Sequence, residues 1–339
     1  MKGEMVRSRM QWLSDGERPS KFFCGLENKN FIDKTMKKIK LANGTHVTDQ
    51  KEVLHHARKF YSDLFEEKPV NENSDIFSIL ETLIVRKIDD NSLGSLVSVE
   101  ELGNVLKKMK SNKTPGIDGI TAEFLKVFWG NLKYFIANAI NQSYHKGTLS
   151  VSLRTCIITC LPKSKKDRTL LKNWRPISLL SVVYKIASGT IANRLKQTLD
   201  GLISHSQCGF LPGRQISDVT RLIYDLMHYT ESKQLPGLLM LVDFEKAFDS
   251  VSWKFLYKTL SLFGFDDNFI KWIKMFNNDI YAHVIQCGFL SEKIQIKRGC
   301  RQGDPISAYL FLLCAEVLCL LIKNNPENVG IKIEKKNLN

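Results

Sequence analysis

Asp243 closes the apolar run "GLLMLVDF", and the six positions after it place Glu245, Lys246, Phe248 and Asp249. A carboxylate at the exit of a buried strand is costly unless a charge compensates it, and a divalent cation is a natural compensator. Mg²⁺ is held by one or two carboxylates, its other positions going to water and substrate phosphates. Asp243 is therefore the leading metal-ligand candidate. The alternative is an ordinary carboxylate that caps the following turn. Phe248, five residues on, opens the next helix beside the same site. An aromatic ring there can press against a sugar and fill the space of a 2′-hydroxyl, one way for a site to prefer deoxynucleotides.

The elements around these residues can be read from periodicity. "PGLLMLVDF" is a continuous apolar run after a Pro-Gly turn, the pattern of a strand buried on both faces. Asp249 or Ser250 then caps a helix reaching Gly264. Upstream, "RTCIITCLPK" reads as a strand, and Val183, Ala187, Ile191, Leu195 and Leu199 mark an amphipathic helix stopped by Gly201. Ile216, Val219, Ile223 and Leu226 mark the next one. A helix spans about Asp49 to Phe65 after a turn at Asn43-Gly44, and another begins at Val99 with Leu102, Val105, Leu106 and Met109 on one face. Phe124 to Ile140 predicts one longer helix ending at Gly147. Alternation from Lys293 to Lys297 argues for a hairpin turning near Gly288, and a last helix follows "GDPIS". Turns at Asp15-Gly16 and a polar linker, "KPVNENSD", complete a mixed α and β chain without internal repeats.

Composition narrows the function classes. With 43% hydrophobic and 25% charged residues the chain falls in the globular range, which argues against general disorder. A net charge of +14 favours a polyanionic partner. The charge is concentrated: from Val151 to Gln215, eleven Lys or Arg face only Asp167 and Asp200. The eight cysteines lack zinc spacing, and "CIITC" reads as buried strand, so free thiols in a reducing compartment are expected. The N-terminus has no apolar signal core, and "YLFLLCAEVLCLLI" is interrupted by Glu316 and short for a bilayer span, so no membrane is expected.

"VDFEKAFD" resembles the first catalytic motif of reverse transcriptases of the long interspersed (non-LTR) retrotransposon type, and other stretches follow in that family's order. "NKTPGIDGITAEFLK" is similar to its opening motif, "LPKSKKDRTLLKNWRPISLLSVVYKI" to its basic fingers motif, "QCGFLPGRQISDV" to the segment after that, and "KRGCRQGDPISAYLFLL" to the loop and helix beyond the hairpin. "RSRMQWLSDGERPSKFFCGLE" resembles the region ahead of the polymerase core. The resemblance implies an α+β right-hand polymerase fold: an N-terminal extension over 1–98, fingers and the first part of the palm over 99–235, and a partial palm over 236–339. It makes Asp243 the catalytic metal ligand, with Mg²⁺, or Mn²⁺ in its place, as cofactor, and Phe248 the sugar gate. Lys163 and Arg175 become grips on the incoming triphosphate, with Lys165 and Lys166 open as alternatives to Lys163. Gln302 and Gly303 meet the nascent base pair, Gly303 because backbone must come close to the nucleotide. Lys113, Arg214 and Arg301 are expected on template or primer backbone, together with whichever of Lys165 and Lys166 does not hold the triphosphate.

The implied partners are an RNA template, a DNA primer and deoxynucleoside triphosphates, and the implied location is nucleus and cytoplasm. The family's second motif, an aromatic-Ala-Asp-Asp turn after the "QGDP" helix, does not occur in these 339 residues. Asp266-Asp267 precedes "QGDP" and reads as a helix cap, and Asp249 reads as another. The expectation is thus a truncated palm and thumb, no polymerisation by this polypeptide alone, and marginal solubility from an exposed sheet edge and an uncovered last helix. A group II intron maturase-like enzyme, a non-catalytic nucleic-acid binder and a transposon remnant are the competing readings.

Overall fold

The computed structural model describes residues 35–68, 79–80, 82–83, 85–88, 92–327 and 330–331. The segment "RSRMQWLSDGERPSKFFCGLE", Asp15-Gly16 and most of the linker "KPVNENSD" lie outside the described residues.

Two short strands, β1 (Ile39–Lys40) and β2 (His46–Val47), pair antiparallel around Asn43-Gly44. Helix α1 (Gln50–Phe65) follows, its first turn capped by the Asp49 carboxylate, which accepts from the backbone of Lys51 and Glu52. Val53, Ala57, Tyr61 and Phe65 recur every fourth residue and form its buried stripe. α2 (Val99–Lys108) starts with a reciprocal capping box between Ser98 and Glu101. The helix expected over Phe124–Ile140 is two, α3 (Ala122–Val127) and α4 (Trp129–Lys146), separated at Phe128, whose φ of −94° and ψ of 12° leave the helical range. Gly147, at φ 73°, ends α4.

A one-turn helix, α5 (Val151–Arg154), leads into β3 (Thr155–Pro162), and β4 (Trp174–Leu179) returns antiparallel with Cys160 opposite Pro176. Cys156 and Cys160 are free thiols in the core, as the strand pattern implied. β5 (Ile280–Gln286) runs parallel to β3, Ile157 facing His283. β6 (Phe289–Leu290) and β7 (Ile294–Ile296) both pair antiparallel with β5, giving a mixed sheet. The β5–β6 turn is Cys287-Gly288, both at positive φ, at the predicted place.

The remaining helices are α6 (Val182–Leu202), α7 (Ile216–Ser232), α8 (Trp253–Leu262), α9 (Asp267–Asn277) and α10 (Ser307–Asn324). α1 packs on β5 and β7, α2 on α6, and α10 on α8 and α6, so one hydrophobic core continues from Met36 to Val317. α10 is long and apolar enough to cross a membrane by length and composition, but within this fold its Glu316 is fully buried and accepts from Ser204 Oγ.

Three local expectations are corrected. α6 runs through Gly201 to Leu202, and the Arg214 guanidinium binds the carbonyls of Ile203 and Ser204 just past its end. Ser252, not Asp249 or Ser250, caps α8, accepting from Phe255 N. The run 236–244 forms no strand: it is exposed, with Leu238 93% and Leu241 81% accessible, since no neighbouring strand among the described residues offers it a ladder. By contrast Asp266 caps α9 as expected, accepting from Phe269 N.

Candidate nucleotide cleft

A cleft of about 420 Å³ opens where the β3–β4 end, the turn before α8 and the loop before α10 converge. Lys163, Arg175, Phe248, Gln302 and Gly303, spread over some 140 positions of sequence, all line it. Strand alternation explains Arg175. Trp174 is buried, with its Nε1 donating to Arg168 O at 2.8 Å, so the next side chain projects outward into the cleft. Lys163 sits where the hairpin closes, its backbone N–H donating to Asn173 O at 2.8 Å. Lys165 and Lys166 are exposed in the turn beyond, outside the cleft lining. Of the three lysines, Lys163 is the one that lines the cleft.

The opposite wall is held by backbone. Cys300 N donates to Phe248 O at 2.7 Å, Gly299 N to Val251 O at 2.8 Å, and Ser178 N to Gln302 O at 2.8 Å. These bonds tie the Phe248–Ser250 turn, the 299–302 loop and β4 into one unit. Gly299, at φ 92°, passes so close that a Cβ would lie 2.7 Å from Asp249 O. Gly303, at φ 107°, would bring a Cβ to 2.8 Å from Ser178 O. Packing on β4 by itself thus requires glycine at this position. Phe248 stacks on Phe311 with centroids 4.8 Å apart and meets the edge of Phe210 at 6.0 Å.

Asp249 is 3% exposed and lines the cleft. Burial pushes its carboxyl up to about 6, against the pull of Lys246, Gln302, Lys163 and Arg298. Gln302 Nε2 donates to both of its oxygens, at 3.5 and 3.4 Å. Lys246, held at φ 50°, lies with its ammonium 5.0 Å from the Phe60 ring, and burial lowers its pKa.

Other predicted residues lie elsewhere. Asp243 is exposed on the 236–244 run and does not line the cleft, because that run lacks the sheet that would hold it there. Arg214 is not free for a nucleic-acid backbone: it donates to Ser204 O, Gln207 O and Ile203 O and pairs with Asp200 at 2.8 Å. Arg301 lines the cleft, but its side chain is 4% exposed and donates to Tyr184 Oη, to Phe276 O and to Asp304, which makes it a post under the floor. Lys113 is exposed between α2 and α3, outside the cleft.

Comparison with known proteins decides the family. Residues 162–333 match the profile described as "Reverse transcriptase (RNA-dependent DNA polymerase)". The chain belongs to the reverse transcriptase family. It is 36% identical over 325 residues to the "Transposon TX1 uncharacterized 149 kDa protein" of Xenopus laevis, covering 95% of this chain and 25% of that one. It is 26% identical over 226 residues to the "Retrovirus-related Pol polyprotein from type-2 retrotransposable element R2DM" of Drosophila melanogaster, covering 67% and 20%. Against the "RNA-directed DNA polymerase from mobile element jockey" of the same species it is 27% identical over 226 residues, covering 65% and 24%. These relatives make it a reverse transcriptase domain of the non-LTR type. The chain spans a quarter or less of their length.

Reverse transcriptases depend on divalent metal. The described residues of this reverse transcriptase domain do not fit such a site by themselves. Asp243 stands outside the cleft, and no group of three or more His, Cys, Asp or Glu side chains among the described residues could hold a metal ion. Asp249 and Lys246 are among the cleft residues that sequence reasoning missed, together with Phe210 and Asp304. For the first two the available signal was the spacing of "EKAFD": a tight turn would swing both back toward Phe248.

Proposed function

We propose that this chain is the nucleotide-binding part of an RNA-directed DNA polymerase that acts on an RNA template with a DNA primer. The observation that carries the reading is the convergence of Lys163, Arg175, Phe248, Gln302 and Gly303 on one cleft from four separate segments. In this reading the Lys163 ammonium and the forked Arg175 guanidinium grip the triphosphate, a pairing of fixed donors with phosphate oxygens that water competes with poorly in a cleft. Phe248, braced by Phe311 and Phe210, faces the sugar, and a rigid ring in that position excludes a 2′-hydroxyl. Gln302 borders the base pair. The segment 99–235 then serves as fingers and the first part of the palm and 236–339 as a further part of the palm, with Lys113, Lys165 and Lys166 as exposed cations toward the nucleic acid.

Because Asp243 stands outside the cleft, the polypeptide of residues 1–339, tested by itself, holds nucleotide and nucleic acid without incorporating. Calorimetric titration of dTTP and UTP onto this polypeptide, with an RNA template and annealed DNA primer, tests both parts. The expected result is tighter binding of dTTP than of UTP, a preference that Phe248→Ala removes, and no primer extension with Mg²⁺. Equal binding of the two nucleotides rejects the gate. Extension that Asp243→Asn abolishes rejects the second part.

A further inference from the structure

We propose that Asp249 is a positioning residue of the cleft, fixing the side-chain amide of Gln302 against the incoming nucleotide; the proposal rests on the nucleotide-binding reading above. An exposed glutamine samples many rotamers, and holding one costs side-chain entropy. Here the holder is built in. Asp249 cannot drift, because its backbone is wedged against Gly299 and flanked by the bonds Cys300 N to Phe248 O and Gly299 N to Val251 O. Gln302 is fixed at its backbone by Ser178 N. With both backbones anchored, the carboxylate accepts from Gln302 Nε2 at both of its oxygens, and the carboxamide oxygen is not used by these bonds.

A buried carboxylate is an expensive way to hold an amide, and the surroundings indicate why it is tolerated. Cations face it from three elements: Lys246 from its own turn, Lys163 from the β3 end and Arg298 from the loop before α10. Tyr61 of α1 and Cys300 are the other titratable groups near it, and burial keeps both neutral. Asp249 thus joins a gate residue, a loop glutamine and the triphosphate cations into one preorganised wall.

Two measurements on the 339-residue chain test this. The first is the Gln302 side-chain NH₂ resonance, assigned by its loss in Gln302→Ala and followed from pH 5 to 8 without nucleotide. It is expected to titrate near 6 in the wild type, where the Asp249 carboxyl is held, and to stay flat in Asp249→Asn. A flat wild-type resonance overturns the contact, whatever becomes of the nucleotide reading. The second is a double-mutant cycle in the affinity for dTTP, with far-UV circular dichroism confirming the fold of each variant. Asp249→Ala and Gln302→Ala should each weaken binding about tenfold, the double variant no further, and Asp249→Asn, which keeps an acceptor, should restore most of it. Additive losses, or unchanged or tighter binding in Asp249→Ala, overturn the proposal. If Asp249→Ala does not fold, Asp249→Asn against Asp249→Leu supplies the same comparison. A wild-type chain whose Gln302 resonance titrates but which binds no dTTP rejects the nucleotide reading, and with it the role assigned to the contact.

Discussion

Arg175 and Trp174 are neighbours in sequence and opposites in the fold: one ring is sealed in the core, and the next side chain projects into the cleft. If that guanidinium grips phosphate, its loss removes charge-assisted hydrogen bonds worth roughly 1.5–3 kcal/mol. Arg175→Ala should therefore weaken dTTP binding about 10- to 100-fold, while thermal melting stays close to the wild type because the residue is exposed. Arg175→Lys restores only part, since a point charge cannot reproduce the fork. Asp249 gives a prediction of opposite character. Its carboxyl is held at about 6, above the unfolded value, so between roughly pH 4 and 6 the folded chain binds more protons than the unfolded chain. Stability contributed by this residue is accordingly present at low pH and lost as pH rises through the folded pKa. Asp249→Asn should unfold at higher urea than the wild type at pH 8, by at most about 3 kcal/mol, and the gap should close toward pH 4. A gap that widens as pH falls would contradict the burial argument.

Elements fail or hold at their ends. α6 has buried residues along its whole length, and Arg214, reaching back from the "LPGR" turn, binds the carbonyls of the C-cap Ile203 and of Ser204 and Gln207 just beyond it. Three carbonyls and one carboxylate on a single largely buried guanidinium make Arg214 the tie that holds the turn after α6, and a cation also suits the negative end of a helix. Arg214→Ala should cost about 2–4 kcal/mol of unfolding free energy, measured by urea denaturation, while RNA affinity at fixed salt is unchanged. A loss of RNA affinity without loss of stability would return Arg214 to the nucleic-acid surface. The hairpin of β5 and β6 and the Asp266 cap of α9 were legible in the sequence because a cap or a two-residue turn is decided within a few positions.

For the whole molecule two surfaces matter. The positive excess over 151–215 includes Lys165 and Lys166, exposed beside the cleft mouth, and a polyanion bound there releases counterions. RNA affinity should fall linearly in log–log form with salt, and Lys165→Ala with Lys166→Ala should reduce the slope by about two. The second surface is apolar. Leu238, Met240, Leu241 and Val242 are exposed, and α7, with Leu222, Tyr224 and Met227 outward, has no fully buried residue. α10 also shows Leu318 and Ile322. Contiguous apolar surface of this kind drives association. Leu238→Glu with Leu241→Glu should raise the concentration at which light scattering begins, and no change would mean the run is sheltered in solution.

The sequence by itself determined the family, the helices and hairpins, and the residue types that line the cleft, because order of motifs, periodicity and capping are properties of short stretches. Only the tertiary structure decided which charges are available for chemistry. Arg214 and Arg301 read in sequence as free cations, yet the fold uses Arg214 on Ser204 O and Asp200, and Arg301 on Tyr184 Oη and Asp304. Asp249 read as a cap, yet Ser252 does that work and the fold turns the carboxylate into the cleft. The apolar run ending at Asp243 read as a buried strand, but apolar composition only makes a strand acceptable to a core. A strand forms when neighbours supply its hydrogen bonds, and those neighbours are fixed by topology, which no local pattern encodes.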